Sequence, residues 1–372
     1  MNKIEQIINY ADGIEDYRDG EKVTYPFAEI FLSVFIAVLA GCNGWDAIED
    51  LCKSRLSTLR KFLPFTNGIA GHDTLRRAMS VIEPKHFQAF FIDWVKSCFG
   101  EKLLDKIYAI DGKQAKGSKF AVNPAVHMLN VFATTAGISI AQCDVDKKTN
   151  EIVAMDAILD LLDLKGAIIT VDALNCQKKL AKKIDQAEGK YLFAVKGNHG
   201  YLHSQIIQHF KYDKLENPAL QCFEKRDIGH GRVEVRKYTT LYNLYNIKEK
   251  DSWSGLTSIV KVESSRTIKG KASTEERYYI SNINNISAER AGQLIRGHWG
   301  VENNLHWMLD IAFNEDDCRI VGNAAKNLAV VRQMALNCLK THKNAKYTIP
   351  RMQRNLSFSE EFLDGFLQKL IC

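Results

Sequence analysis

Residues 294–310 read LIRGHWGVENNLHWMLD and place one carboxylate, Glu302, within an otherwise aromatic and apolar pattern. One buried helical face is predicted by the apolar residues that recur at steps of seven, four and three, namely Leu294, Val301, Leu305 and Met308. His298, Glu302 and His306 recur at steps of four and are predicted to share another face. A carboxylate beside a core-facing stripe is costly unless it is paired or binds a metal ion. The stretch therefore predicts that Glu302 has partners elsewhere in the chain.

Two earlier segments supply carboxylates of their own. Residues 107–111 and 167–172 are apolar runs of strand length, and they end in Asp111 and Asp172. Polar groups at the carboxyl ends of buried strands lie where α/β sheets bind ligands. We therefore expect both aspartates to face one crevice, which Glu302 completes from a packed helix.

Several blocks of sequence around these acids match a known family. The blocks are AIDGK at 109–113 with GS at 117–118, ITVDA at 169–173 with Gln177, YLFAVKGN at 191–198, GHGR at 229–232, and HWGVEN at 298–303 with LHW at 305–307. With them the chain resembles the DDE transposases of bacterial insertion sequences, specifically the H-repeat-associated group, over nearly its whole length. The resemblance implies that Asp111, Asp172 and Glu302 are the catalytic and metal-binding triad of a ribonuclease H-like nucleotidyl transferase.

The pattern of elements after residue 106 predicts an α/β fold. Three antiparallel strands, a helix, a strand, a second helix and a further strand are predicted in that order, with the strands at 107–111, 127–135, 138–145, 167–172 and 191–195. This is the order of a ribonuclease H-like mixed sheet with flanking helices, which the resemblance also implies.

Four regions are predicted along the chain. They are an all-helical N-terminal domain at 1–100, a catalytic core at 101–198 and 278–345, an inserted β-rich subdomain at 199–277, and a C-terminal tail at 346–372. The insertion precedes the last catalytic helix and contains predicted strands at 233–241 and 256–262.

The composition predicts a soluble globular protein in the cytoplasm. A chain of 372 residues that is 46% hydrophobic can bury a large core. The longest apolar run, 30–42, is too short to span a bilayer, and the amino terminus lacks the apolar core of a signal peptide. No membrane partner is therefore expected. Nine scattered cysteines, an odd number, argue against a closed disulfide framework and predict reduced thiols.

The charge distribution favours a polyanion as partner. The net charge is +6, and the first hundred residues are slightly acidic, so the excess of basic residues lies with the carboxylates. Phosphate contacts are predicted for residues that flank the acids or lie in matching blocks, namely Lys113, Lys196, Asn198, Arg232, Arg296 and His298. Arg76 and Arg77 are predicted either to contact DNA from a helix-turn-helix-like module or to form a solvated helix face.

The triad suits a reaction at phosphorus. Two divalent cations roughly 3.5 to 4 Å apart can activate the attacking oxygen and stabilise the leaving one. Carboxylate oxygens favour Mg²⁺, with Mn²⁺ as a substitute. The resemblance implies that Asp111 bridges two such ions, with Asp172 on one and Glu302 on the other. It also implies cleavage at the ends of an insertion sequence, strand transfer into target DNA, and a homodimer that holds two ends.

Simpler interpretations of the same residues stay open at this point. Asp111 followed by glycine is typical of a turn, and Asp172 of a cap at a strand end. His298, Glu302 and His306 at steps of four are compatible with zinc. Asp310 could replace Glu302 as the third ligand, and residues 315–317 read as a solvated acidic turn.

One signature of related transposases is absent. Relatives often carry Tyr and Arg seven and four residues before the glutamate and Lys seven residues after it, where this chain has Ile295, His298 and Leu309. His298 therefore either contacts a DNA phosphate in its protonated form or is a neutral core residue. Two rival functions remain: an inactive DNA-binding remnant of a decayed element, and a metal-dependent nuclease without strand transfer.

Overall fold

The computed structural model describes residues 2–14, 23–119, 125–145, 151–212, 220–229, 231–268, 270–343 and 346–371. These residues form a mixed α/β structure with one large sheet and many helices. His230, in the GHGR block, lies outside them. The helices are α1 Lys3–Gly13, α2 Phe27–Leu39, α3 Trp45–Ser54, α4 Leu56–Leu59, α5 His72–Val81, α6 Pro84–Phe99, α7 Glu151–Asp160, α8 Lys178–Gln186, α9 Gly200–Tyr212, α10 Ala288–Gly300, α11 Trp307–Phe313, α12 Gly322–Thr341, α13 Ile349–Phe358 and α14 Glu360–Ile371. The strands are β1 Ile107–Ala115, β2 Val126–Ala133, β3 Ile138–Asp144, β4 Ile168–Val171, β5 Lys190–Val195, β6 Leu220–Gly229, β7 Arg232–Leu241, β8 Ser258–Ile268 and β9 Lys271–Ser281.

The strands of the described residues form a single sheet in the order β3-β2-β1-β4-β5-β9-β8-β7-β6. β4 pairs in parallel with both β1 and β5, and the other neighbouring pairs are antiparallel. The predicted order of strands and helices between residues 107 and 195 is confirmed. β4 and β5 are short, apolar and largely buried, as parallel strands covered on both faces should be.

β1 differs from the sequence prediction in length. The predicted strand ends at Asp111, whereas β1 continues to Ala115 because β2 pairs with it along that whole length. Gly112 and Lys113 therefore lie in extended backbone rather than in a turn. The turn interpretation of Asp111 is wrong for this reason.

The β-rich insertion is continuous with the rest of the sheet. β9 pairs with β5, so that β6 to β9 extend the sheet instead of forming a second one. β7 and β8 correspond to the two predicted strands, whereas β6 and helix α9 were not predicted. β6 carries consecutive charges at residues 224–227 and is exposed on both faces, so its sequence lacks the alternation that predicts a strand.

Helices from both ends of the chain pack together beside the sheet. α2 is buried along its entire length, and all of its residues except Glu29 and Ser33 are apolar. α12 contacts α2, α5 and α6, and α14 contacts α1. An ion pair of 2.6 Å joins Lys61 to Asp364. The region predicted as a tail is thus helical and packed, and no helix among the described residues is long and apolar enough to cross a membrane.

Candidate active site

Strand register brings two aspartates together. Ile110 of β1 is paired with Val171 of β4, so Asp111 and Asp172 follow as neighbours on adjacent strands. Adjacent strands lie about 4.8 Å apart, and successive side chains point to opposite faces. Ile110 and Val171 are buried on one face, which directs both aspartates to the other. The predicted meeting of Asp111 and Asp172 therefore follows from pairing alone.

Glu302 reaches the same place from a π-helical segment. Residues Val301–His306 form this segment between α10 and α11, and the Trp307 N–H donates to the Glu302 carbonyl five residues earlier. Val301 and Leu305 are buried, whereas Glu302 is exposed. Single π turns inside α-helices are frequent at functional sites. Of the predicted stripe, Leu294, Val301 and Leu305 are buried and Met308 is half-buried, whereas the π turn was not predicted because periodicity does not reveal it.

The three acids are close enough to affect one another. Burial raises the pKa of Asp111 to about 7, and the charges of Asp172, Glu302 and Glu151 add to this effect. Like charges disfavour one another's ionised forms, and a bound cation would relieve the repulsion. Among the described residues no three such side chains already form a ligand set for a metal. Their hard oxygen donors nevertheless fit Mg²⁺ or Mn²⁺ and not a soft metal.

Asn175 holds Asp172 in place. Its backbone N–H donates to Asp172 Oδ1 at 3.0 Å, and its side-chain Nδ2 donates to the same oxygen at 3.1 Å. The same Nδ2 lies 3.3 Å from Glu151 Oε1. Asn175 is completely buried, so this arrangement fixes the rotamer of Asp172.

His306 and His298 flank Glu302 and face the sheet. His306 Nδ1 lies 3.6 Å from Asp111 Oδ2, and its Nε2 lies 3.5 Å from Asn130 Nδ2. His298 Nδ1 lies 3.0 Å from Thr170 Oγ1. Burial lowers the pKa of both histidines to about 4, so both are neutral at pH 7. Of the two interpretations of His298, this geometry favours the neutral, hydrogen-bonded one. It does not favour zinc, since both imidazoles already have neighbours among the residues of the sheet.

Lys113 is neutralised by acids instead of facing solvent. Its Nζ lies 2.6 Å from Asp310, 3.4 Å from Glu315 and 3.3 Å from Asp316. Its side chain is 9% exposed, and that of Glu315 is 6% exposed. Residues 315–317 were expected to be a solvated acidic turn, which is wrong for Glu315 and Asp316 because both pair with Lys113, whereas Asp317 is exposed. Asp310 is engaged in the same way, which disfavours it as a replacement for Glu302.

The other predicted phosphate contacts lie on different parts of the surface. Lys196 and Asn198 follow β5 and are exposed, and Asn198 Nδ2 donates to the Ala173 carbonyl beside Asp172 at 2.7 Å. Arg76 and Arg77 are exposed on α5, where Arg76 pairs with Asp73 at 3.1 Å. Asn198 therefore supports the loop that carries Asp172, and α5 presents its arginines on a separate helical surface.

Arg232 and Arg296 line a basic groove that leads to Glu302. Helix α10 packs on the inner part of β7, where Gly292 leaves little room beside the ring of Tyr238. Tyr238 also lines a groove on the sheet. The groove there is lined by five arginines and three glutamates, which are Arg232, Arg236, Arg266, Arg277, Arg296, Glu234, Glu275 and Glu302. Its net charge is positive, and the guanidinium of Arg277 stacks 4.3 Å above the ring of Trp299.

A fourth carboxylate at this site was missed by sequence analysis. Glu151 is the first residue of α7, and a Cβ on Gly112 would collide with its Oε1. Gly112 thus permits Glu151 and His127 to approach the backbone next to Asp111. Gly112 was the sequence feature that could have indicated a close approach of another side chain, but it is also typical of a turn and was interpreted as one.

Comparison with known proteins identifies the family. Residues 90–338 match the family described as Transposase DDE domain, and residues 8–95 match one described as DDE_Tnp_1-associated. "H repeat-associated putative transposase YhhI" of Escherichia coli K12 is 36% identical over 98% of both chains. "Putative protein YbfL" of the same strain is 37% identical over 98% of both chains.

A remote likeness to a solved structure was also found. A piggyBac transposase in a synaptic complex with hairpin DNA matches 99% of this chain and 79% of its own, with 12% identity and a TM-score of 0.40. The family matches, in contrast, cover the three acids, and they confirm the resemblance that the sequence blocks predicted. The chain belongs to the DDE transposases, and it is similar to their H-repeat-associated members.

Proposed function

We propose that this protein is a metal-dependent transposase that cuts DNA at the ends of an insertion sequence and joins the resulting 3′-hydroxyl to target DNA. The observation that carries the proposal is the convergence of Asp111, Asp172 and Glu302 from two neighbouring strands and one helix. The order β3-β2-β1-β4-β5, in which β1, β4 and β5 run parallel to one another, supports a ribonuclease H-like core. Family membership supports the same reaction class.

The three acids would hold two Mg²⁺ or Mn²⁺ ions, which supply an activated oxygen nucleophile and a stabilised leaving oxygen when bound. The charges of Asp172 and Glu302 both act on Asp111, which supports a shared role for the three carboxylates. Asn175 fixes the Asp172 carboxylate, and His306 packs against Asp111 from the helix side. These contacts orient the acids before DNA arrives.

The basic groove would bind the DNA backbone next to the acids. Arg232 and Arg296 line the groove and are exposed, and Glu302 lines the same groove. Arginine binds phosphate through paired N–H donors, so a strand in this groove would lead to the reacting phosphate. The groove offers a substitute for the missing Tyr, Arg and Lys signature. Lys196, Asn198, Arg76 and Arg77 stay proposals for more distant contacts, and a homodimer would bring two ends together.

The test is incubation of the full chain with terminal-repeat DNA, target DNA and Mg²⁺, followed by separation of the products on a sequencing gel. Joined products support transposition. Cut but unjoined DNA would indicate a nuclease, and a mobility shift without either product would indicate an inactive DNA-binding remnant. Replacement of Mg²⁺ by Ca²⁺ is the control, because its larger and more flexible coordination should support binding but not in-line attack.

A further inference from the structure

Helix α7 carries three carboxylates with different surroundings. Asp156 is paired with Lys179 at 2.6 Å and Lys183 at 2.9 Å, and Asp160 is paired with Lys183 at 2.7 Å. Glu151 has no ion pair with any lysine or arginine of the described residues, and it faces Gly112 instead. A carboxylate turned toward other acids, without a cation of its own, is unfavourable unless a cation is supplied.

Asn175 connects this carboxylate to the acids of the proposed function. Its Nδ2 donates to Asp172 Oδ1 at 3.1 Å and lies 3.3 Å from Glu151 Oε1. One amide group therefore sets the separation of the two carboxylates. Glu151 also acts electrostatically on Asp111.

The amide oxygen of Asn175 is an independent indication of a ligand. The residue is 0% exposed, and its Oδ1 is buried without a hydrogen-bond partner among the described residues. A buried acceptor that lacks a donor costs free energy, and the cost is recovered when a donor is present. A water molecule coordinated to a cation between Glu151 and Asp172 would be such a donor, since Mg²⁺ usually keeps several of its waters.

We propose that Glu151 is a fourth carboxylate of the cation site and that Asn175 positions it relative to Asp172. The inference rests on the proposed function, because it adds a residue to the same site. Glu151 supplies a further hard oxygen, either directly or through a coordinated water, from the side of the site opposite Glu302's helix. Asn175 is a positioning residue and touches neither ion nor DNA.

The test measures cation binding without DNA and without turnover. The full-length protein is titrated with Mn²⁺, and free Mn²⁺ is followed by electron paramagnetic resonance for the wild type, Glu151→Gln and Asp160→Asn. Glu151→Gln should weaken Mn²⁺ affinity by about 10- to 100-fold, the usual effect of removing a supporting group. Asp160→Asn, a neutralisation on the same helix, should stay within about twofold.

Thermal unfolding separates a ligand role from a structural one. Without metal, Glu151→Gln should melt at the wild-type temperature or higher, because one repelling charge is gone, and its melting temperature should rise less on addition of Mn²⁺. Asn175→Ser should also lower Mn²⁺ affinity. A lower metal-free melting temperature with unchanged affinity in Glu151→Gln would overturn the proposal.

Asp172→Asn distinguishes this inference from the function on which it rests. If Asp172→Asn loses Mn²⁺ binding while Glu151→Gln binds as the wild type does, only the role of Glu151 is refuted. If neither change affects Mn²⁺ binding, the cation site of the proposed function is itself wrong.

Discussion

The strand side and the helix side of the site are built in different ways. On the strand side, Asp111 and Asp172 are held in adjacent register, and Asn175 donates two hydrogen bonds to Asp172. On the helix side, Glu302 is exposed on a π-helical segment between two α-helices. Strand pairing fixes positions through many backbone hydrogen bonds, whereas a π turn interrupts the regular hydrogen bonding of the helix at one place. The strand side is thus rigid, and the helix side is adjustable.

The largest effect is expected from the rigid side. Asp172→Asn should reduce DNA cleavage by at least about 100-fold, because loss of one charge disrupts the cation site. DNA affinity should change by no more than a few fold, since the basic groove is untouched. Single-turnover cleavage and a filter-binding assay measure the two quantities. Cleavage above a few per cent of wild type would remove Asp172 from the triad.

The adjustable side can be tested by removing its irregularity. Deletion of Asn304, which is exposed within the π-helical segment, should convert the wide turn to regular α-helix. Cleavage should fall by about 10- to 100-fold because Glu302 is displaced, while the packed faces of α10 and α11 remain in place. Asn304→Ala is the matched control and should retain activity. Full activity of the deletion variant would show that the π turn does not position Glu302.

The two sides also differ in the surroundings of their basic side chains. Lys113 lies on β1, and Lys113→Met removes the ion-pair partner of Asp310, Glu315 and Asp316. The change should lower the free energy of unfolding by about 3–5 kcal/mol, because it leaves buried charge uncompensated. Arg296→Gln, at an exposed position of α10, should leave stability unchanged and weaken DNA affinity a few fold, with the salt slope reduced by about 1. Urea unfolding and salt-dependent binding measure these effects. A strong loss of stability in Arg296→Gln would contradict the assignment.

The smallest effect is expected at His298. Its pKa is lowered to about 4 by burial, so the imidazole is neutral from pH 6 to 8.5. DNA affinity should therefore vary with pH in parallel for the wild type and His298→Gln. An unfolded histidine titrates near 6.5, so the unfolded state binds more protons below that pH. Stability should accordingly fall between pH 6.5 and 4, and less steeply in His298→Gln. If the wild type binds DNA more tightly toward pH 6 and the variant does not, His298 contacts a DNA phosphate after all.

The same contrast explains what the sequence could predict. Asp111 and Asp172 end apolar runs, and apolar runs reveal buried strands, so their positions were predictable. The helix carrying Glu302 was predictable from the buried stripe of Leu294, Val301 and Leu305. The π turn was not, because an extra residue in a helix leaves no mark in composition or short-range spacing.

Contacts between distant segments were the least predictable. Lys113 meets acids about 200 residues later, and no local pattern states which face of a strand a distant loop will cover. Glu151 escaped notice because the glycine that makes room for it is also typical of a turn. The joining of β5 to β9 was likewise hidden, since pairing partners in antiparallel sheets are specified by packing and not by sequence order.

The pairing of β5 with β9 can form only late in the synthesis of the chain. Val195 of β5 is paired with Tyr278 of β9, so the ribosome adds about 80 residues before that edge of the sheet is covered. At about 5–20 residues per second, the edge stays open for roughly 4–16 s. Glu302 emerges later still. An unfinished chain can thus hold both aspartates in register before Glu302 is available to join them.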